Sequence, residues 1–137
     1  MDIPAILRGA ILLMLLAMLM LAAGWLAGVG KVTAPQMITL TAIWIVPGLV
    51  AGLDARDAGT LHGLLSGLLG GALIFLVLPI IGGMTTAPSF LDAVAADSRP
   101  LLLILAGWWG GFGGLVADIR RAIRARRAAR RQQRGGD

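Results

Sequence analysis

Residues 48–71 read GLVAGLDARDAGTLHGLLSGLLGG. Two uncharged apolar runs meet here at a short turn that carries Asp54, Arg56 and Asp57. The apolar residues on either side do not alternate with polar ones, so neither run reads as a half-buried strand. A backbone exposed to lipid must satisfy its hydrogen bonds within its own segment, which selects helices. The stretch is therefore read as a helical hairpin whose charged turn lies at a membrane surface.

Along the whole chain, uncharged runs cover 9–29, 32–53, 58–91 and 100–117. A hydrocarbon core about 30 Å thick needs about 20 helical residues. Pro79, Gly82 and Gly83 interrupt the long third run, which places its span at 61–81. The fold class expected is all-α: a single-domain integral membrane four-helix bundle with spans at about 9–29, 32–53, 61–81 and 100–117, followed by a basic tail at 118–137. Composition agrees, with 58% of the 137 residues hydrophobic and 14% charged, against about 25% charged in soluble domains. The first run exceeds the roughly 7–15 residues of a signal-peptide core, so it is read as a retained span. There is no cysteine, which excludes disulfides, thiolate nucleophiles and cysteine metal sites.

Charge sets the expected orientation. Residues 118–137 carry eight Arg and two Asp, whereas the rest of the chain carries four cations and five Asp. With the N-terminus inside, Arg8, Arg56 and the tail arginines are cytoplasmic, and only Lys31 and Arg99 face out. The positive-inside rule then puts both termini in the cytoplasm, with the cytoplasmic membrane as the expected location.

Glycine supplies the most specific internal pattern. Gly59, Gly63, Gly67 and Gly71 recur every fourth residue, and Gly107, Gly110, Gly111 and Gly114 follow helical spacing, so each set lines one helix face. Gly24/Gly28 and Gly48/Gly52 are shorter copies. In lipid, helix association rests on close packing that small residues permit, so the stripes are expected to be helix-packing seams. Pro47 and Pro79 are expected to kink their spans. Ser89 followed by Asp92 has the form of a helix start, so the outer loop is expected to hold a short surface helix.

Sites of chemistry are sparse. His62 is the only histidine and stands at the entrance to the third span, near Asp54, Arg56 and Asp57. A lone histidine is a weak metal signal, and it is read as an interfacial hydrogen-bonding group; the three charged residues are read most simply as a solvated turn, with pairing among themselves or capping of the next helix as the alternatives. No nucleophile–base–orienter set, phosphate loop or paired intramembrane carboxylate is present, so no enzyme activity, cofactor or metal is expected. Trp108 and Trp109 lie in mid-span beside glycines and are read as packing; Trp25 and Trp44 flank the outer ends of their spans or lie a few turns in, and carry no special role. The tail should continue the fourth span as a helix, since Ala and Arg favour it. Arg120, Arg124, Arg127, Arg131 and Arg134 share a stripe, and Arg121, Arg126 and Arg130 spread charge round the rest. Arg120, Arg121, Arg124, Arg127 and Arg131 are the candidates for contact with an anionic leaflet or an acidic partner. Without interleaved aromatics, nucleic acid is not expected.

The 48–71 stretch, together with LLLILAGWWGGFGGLVADIRR at 101–121, resembles a YrzE-like family of small four-helix bacterial membrane proteins of unknown function. The match lies in a G-x-x-A-G step, a charged turn with a central Arg, and an H-G-x-x-x-G opening of the third span. Gly52, Arg56, Gly59, His62, Gly63 and Gly67 carry it, and the chain departs from it in a longer arginine tail and a longer outer loop. The resemblance implies a four-span bundle and no particular activity. The function expected is that of an accessory or scaffold subunit packing through glycine faces, as a homo-oligomer or in a larger membrane complex; the alternative is a small oligomeric transporter or channel.

Overall fold

The computed structural model describes residues 2–28, 33–84 and 99–134. These form α1 (Ile3–Leu26), α2 (Ala34–Thr41), a 3-10 turn (Ala42–Trp44), α3 (Ile45–Asp54), α4 (Gly59–Met84) and α5 (Arg99–Arg134). There is no strand among the described residues. Four helical stretches are long and apolar enough to cross a membrane, with α2 and α3 counting as one. The surface helix expected at Ser89 and Asp92 lies outside the described residues.

The boundaries differ from the charge-free runs in instructive ways. Helix α1 starts at Ile3 rather than at residue 9, because the Asp2 carbonyl accepts the N–H groups of Ala5 and Ile6 and opens the first turn. Arg8 therefore sits inside α1. The helix stops at Gly28, whose φ of +64° is the left-handed conformation that ends helices at low cost in glycine. Helix α2 begins where Gln36 Oε1 accepts the Thr33 N–H at 3.0 Å, with Pro35 in the first turn.

The second span is broken by its proline. Pro47 has no N–H for the Ile43 carbonyl and its ring crowds that oxygen, so the turn before it tightens to 3-10 form at Ala42–Trp44. The expected kink thus takes the form of a change in helix type. Pro79, by contrast, lies within an unbroken α4.

Helices α3 and α4 form the middle of the bundle, and α1 and α5 each pack on both of them. The core joins Leu13 and Ala17 of α1, Met37 of α2, Trp44, Ile74 of α4, and Leu102, Leu105 and Ala106 of α5. Trp44, expected near an outer end as an ordinary boundary residue, is buried in this core. The Trp109 indole donates to Thr41 Oγ1 at 3.2 Å, and Thr41 donates to the Met37 carbonyl at 2.8 Å. In this way a tryptophan among glycines ties α5 to α2. Trp108 points outward and lies tilted against Phe112, with ring centroids 5.4 Å apart.

Glycine sets the spacing of α3, α4 and α5. A Cβ on Gly48 would lie 2.5 Å from Gly110 Cα, and one on Gly52 would lie 2.8 Å from Gly114 Cα. On α4, a Cβ at Gly67 would meet the Ala106 carbonyl carbon at 2.8 Å, and one at Gly63 would meet Gly114 N at 2.9 Å. From α5, a Cβ at Gly110 would be 3.0 Å from Gly67 Cα, and one at Gly114 2.8 Å from Thr60 Cα. These contacts are backbone on backbone, so nothing nearby can yield. Gly113, which stands outside the expected stripe, is equally constrained, 2.7 Å from the Gly48 carbonyl carbon.

Other glycines are less demanding. A Cβ at Gly71 would face Ala106 Cβ and Leu103 Cδ1 at 3.0 Å, and one at Gly107 would face the flexible end of Leu68 at 2.8 Å. At Gly111 it would make only an ordinary contact, 3.7 Å to Leu64. At the short copy Gly24/Gly28, a methyl group added at either position would have no atom of the described residues within 4 Å, and Gly28 serves the helix stop.

Candidate functional site

The charged turn leaves two helix ends to be satisfied. An α-helix ends with unpaired carbonyls and begins with unpaired N–H groups, and residues 55–58 are too few to cap both α3 and α4. Helix α5 supplies what is missing. Its Ala117 is buried against Gly52, so the next turn brings Asp118 and Arg121 over the hairpin.

The Asp118 carboxylate accepts the Gly59 N–H at 2.9 Å, the Thr60 N–H at 2.8 Å and the Thr60 hydroxyl at 2.7 Å. It caps α4 from another helix. Arg121 donates to the Gly52 carbonyl at 2.8 Å and to the Ala55 carbonyl, closing the end of α3, and it pairs with Asp118 at 2.8 Å. Each charge meets the helix end of opposite partial charge: the carboxylate the N-terminus of α4, the guanidinium the C-terminus of α3. Charge-assisted hydrogen bonds of this kind are about twice as strong as neutral ones.

Partial burial raises the Asp118 pKa. Hydrogen bonds from the Thr60 hydroxyl, the Thr60 N–H and the Gly59 N–H, together with the Arg121 guanidinium, outweigh that effect and hold the carboxyl below its ordinary value.

A second set of contacts ties α1 to the same end. His62 is buried, with 2% of its surface exposed. Its Nδ1 lies 2.9 Å from the Ala58 carbonyl, and its Nε2 lies 2.8 Å from the Asp2 backbone nitrogen. A carbonyl only accepts and a backbone N–H only donates, so in this pairing Nδ1 donates and Nε2 accepts. Arg8 reaches from within α1 to Asp54 at 3.1 Å, an exposed pair with side chains 69% and 37% accessible. Ala58 holds a left-handed φ of 46°, and its carbonyl accepts from both the backbone N–H and the ring Nδ1 of His62.

Several sequence expectations are corrected here. Of the alternatives for the charged turn, pairing takes the form of Asp54 with Arg8 of α1, and the cap on α4 comes from Asp118 of α5. Arg56 and Asp57 are exposed. Gly59 lies beneath the clamp, where a Cβ would be 2.9 Å from Asp118 Oδ1. Arg121, expected among the lipid-facing tail arginines, turns inward because the α3 carbonyls lie within its reach. Arg120, Arg124, Arg127 and Arg131 remain exposed. The clamp has one trace in the sequence: Asp118 ends the apolar run three residues before Arg121, the spacing of helical neighbours.

Among the described residues, no three His, Asp or Glu side chains converge as a metal site. Compared with known proteins, the chain matches no family model, no curated protein and no solved structure.

Proposed function

We propose that this chain is a non-catalytic accessory or scaffold subunit of the cytoplasmic membrane, with both termini in the cytoplasm. The observation that carries the reading is the Asp118–Arg121 clamp at the root of an exposed arginine helix. The polar groups at this end are engaged in holding helices: Asp118, Arg121, His62 and Thr60 each have protein partners. Positive-inside bias supports the orientation. The glycine faces of α3, α4 and α5 are taken up within the chain, so in this reading the larger complex is met through other surfaces.

Two measurements test this. The chain lacks cysteine, so Thr33→Cys and Gln133→Cys give clean single-site probes. In intact cells an impermeant maleimide should label position 33 and leave position 133 until lysis; labelling of 133 in intact cells defeats the orientation. Purification in mild detergent with mass analysis should recover a larger assembly, and a solitary monomer defeats the subunit reading.

A further inference from the structure

The cytoplasmic half of α5 holds a one-sided surface that spacing along the chain does not reveal. Helix α5 runs unbroken over 36 residues, and residues 115–134 contain neither Gly nor Pro. With Arg121 drawn inward, the arginines beyond it segregate. At 100° per residue, Arg120, Arg124, Arg126, Arg127, Arg130 and Arg131 fall on an arc of about 160°. The opposite side carries Asp118 and Arg121, which face the bundle, together with Ala122, Ala125, Ala128, Ala129, Gln132 and Gln133. The arginine arc is therefore turned away from the protein's own helices.

Within that arc lie Ile119 and Ile123, 51% and 44% exposed, on the same side as Arg126 and Arg130. The six arginines are exposed, and residues 119–134 contain no acidic side chain. Arginines three and four apart repel one another along this face, and no acidic side chain among residues 119–134 offsets them.

We infer that this face docks an acidic, partly apolar segment of a cytoplasmic protein, its carboxylates on the arginines and its apolar side chains on Ile119 and Ile123. The inference rests on the cytoplasmic placement of the tail proposed above. For the outer arginines, height favours this occupant over the leaflet. The clamp pins α5 at Asp118, and at 1.5 Å per residue Arg131 lies about 20 Å further along the helix. Even at a tilt of 40° it stands about 15 Å from the Asp118 level, about two Debye lengths at physiological salt. The paired isoleucines favour a protein over nucleic acid, since an apolar centre with a charged rim is how protein interfaces are built.

The test uses the full chain in neutral phosphatidylcholine nanodiscs, so it is independent of orientation in cells. The probes are a labelled amphipathic Glu/Leu peptide, poly-glutamate and a 20-nucleotide RNA duplex. The Glu/Leu peptide is expected to bind more tightly than either of the other two. Replacing Arg126, Arg127, Arg130 and Arg131 together by Gln should weaken it about thirtyfold, and Lys at the same positions should restore most of that. Ile119→Gln with Ile123→Gln should weaken the Glu/Leu peptide about tenfold and leave poly-glutamate unchanged. Tighter binding of RNA, or peptide binding indifferent to the arginines or to the isoleucines, overturns the inference. So does burial of a probe at Arg130→Cys in phosphatidylglycerol nanodiscs, which would assign the face to the leaflet.

Discussion

The two halves of α5 are one continuous helix governed by opposite physics. From Pro100 to Ala117 the helix is defined by what it lacks: Gly110, Gly113 and Gly114 let three backbones approach until a methyl group would not fit. From Asp118 onward it is defined by what it carries, a carboxylate and a guanidinium that close two helix ends and then a run of exposed arginines. In hydrocarbon the gain comes from contact area between backbones. At the water interface it comes from a few charged hydrogen bonds placed on helix ends.

The largest effect should come from filling the seam. Gly63→Leu with Gly67→Leu places side chains where backbone atoms of Ala106 and Gly114 already lie, and overpacking of this kind costs about 1–3 kcal/mol per site or more. Loss of a monodisperse folded peak in detergent is expected. Gly111→Ala, with 3.7 Å of clearance, should be neutral or slightly stabilising, because alanine is the better helix former.

Next in size is the clamp. Asp118→Ala removes the acceptor for two backbone N–H groups and the partner of a half-buried guanidinium. Unfolding titrations should show a loss of about 2–4 kcal/mol, with a smaller loss for Asp118→Asn. The same carboxylate gives a pH dependence. Its folded pKa lies below its unfolded value, so its stabilisation is complete above the unfolded value, near 4, and fades as pH falls through the lower folded one. Melting temperature should therefore drop on acidification below about pH 4, and Asp118→Asn should flatten that part of the profile.

A smaller and opposite change is expected at the turn. Ala58 holds a left-handed backbone at some cost, and Ala58→Gly should stabilise by about 0.5–1 kcal/mol in the same titration. Least of all should matter the outer arginines: changing Arg126, Arg127, Arg130 and Arg131 to Gln should leave bundle stability within about 0.5 kcal/mol. A larger shift would mean that the two halves of α5 are not energetically separate.

What can be read from one dimension follows the same division. The number of helices and their approximate spans are legible because hydrophobicity is a property of each segment alone. The every-fourth glycines mark the face of α4 that meets α5, but cannot distinguish Gly63, pressed on backbone, from Gly111, with room to spare. The 3-10 turn is implicit in Pro47, whose missing N–H acts on the preceding turn. The site is hidden for a different reason. Gly59 and Asp118 are separated by 59 positions, and only the packing of Gly52 against Ala117 brings them together. Along the chain Arg121 is one of eight tail arginines; in the fold it is the one that reaches the α3 carbonyls. The hydrogen-bonding character of His62 is legible, but its partner, the Asp2 backbone, belongs to a helix that starts before the charge-free run does.

The distance along the chain between the turn and its clamp also bears on biosynthesis. At about 5–20 residues per second, the ribosome reaches Arg121 several seconds after the hairpin has been made. During that interval the nascent α3–α4 pair carries bare helix ends, and the final helix completes its assembly on arrival.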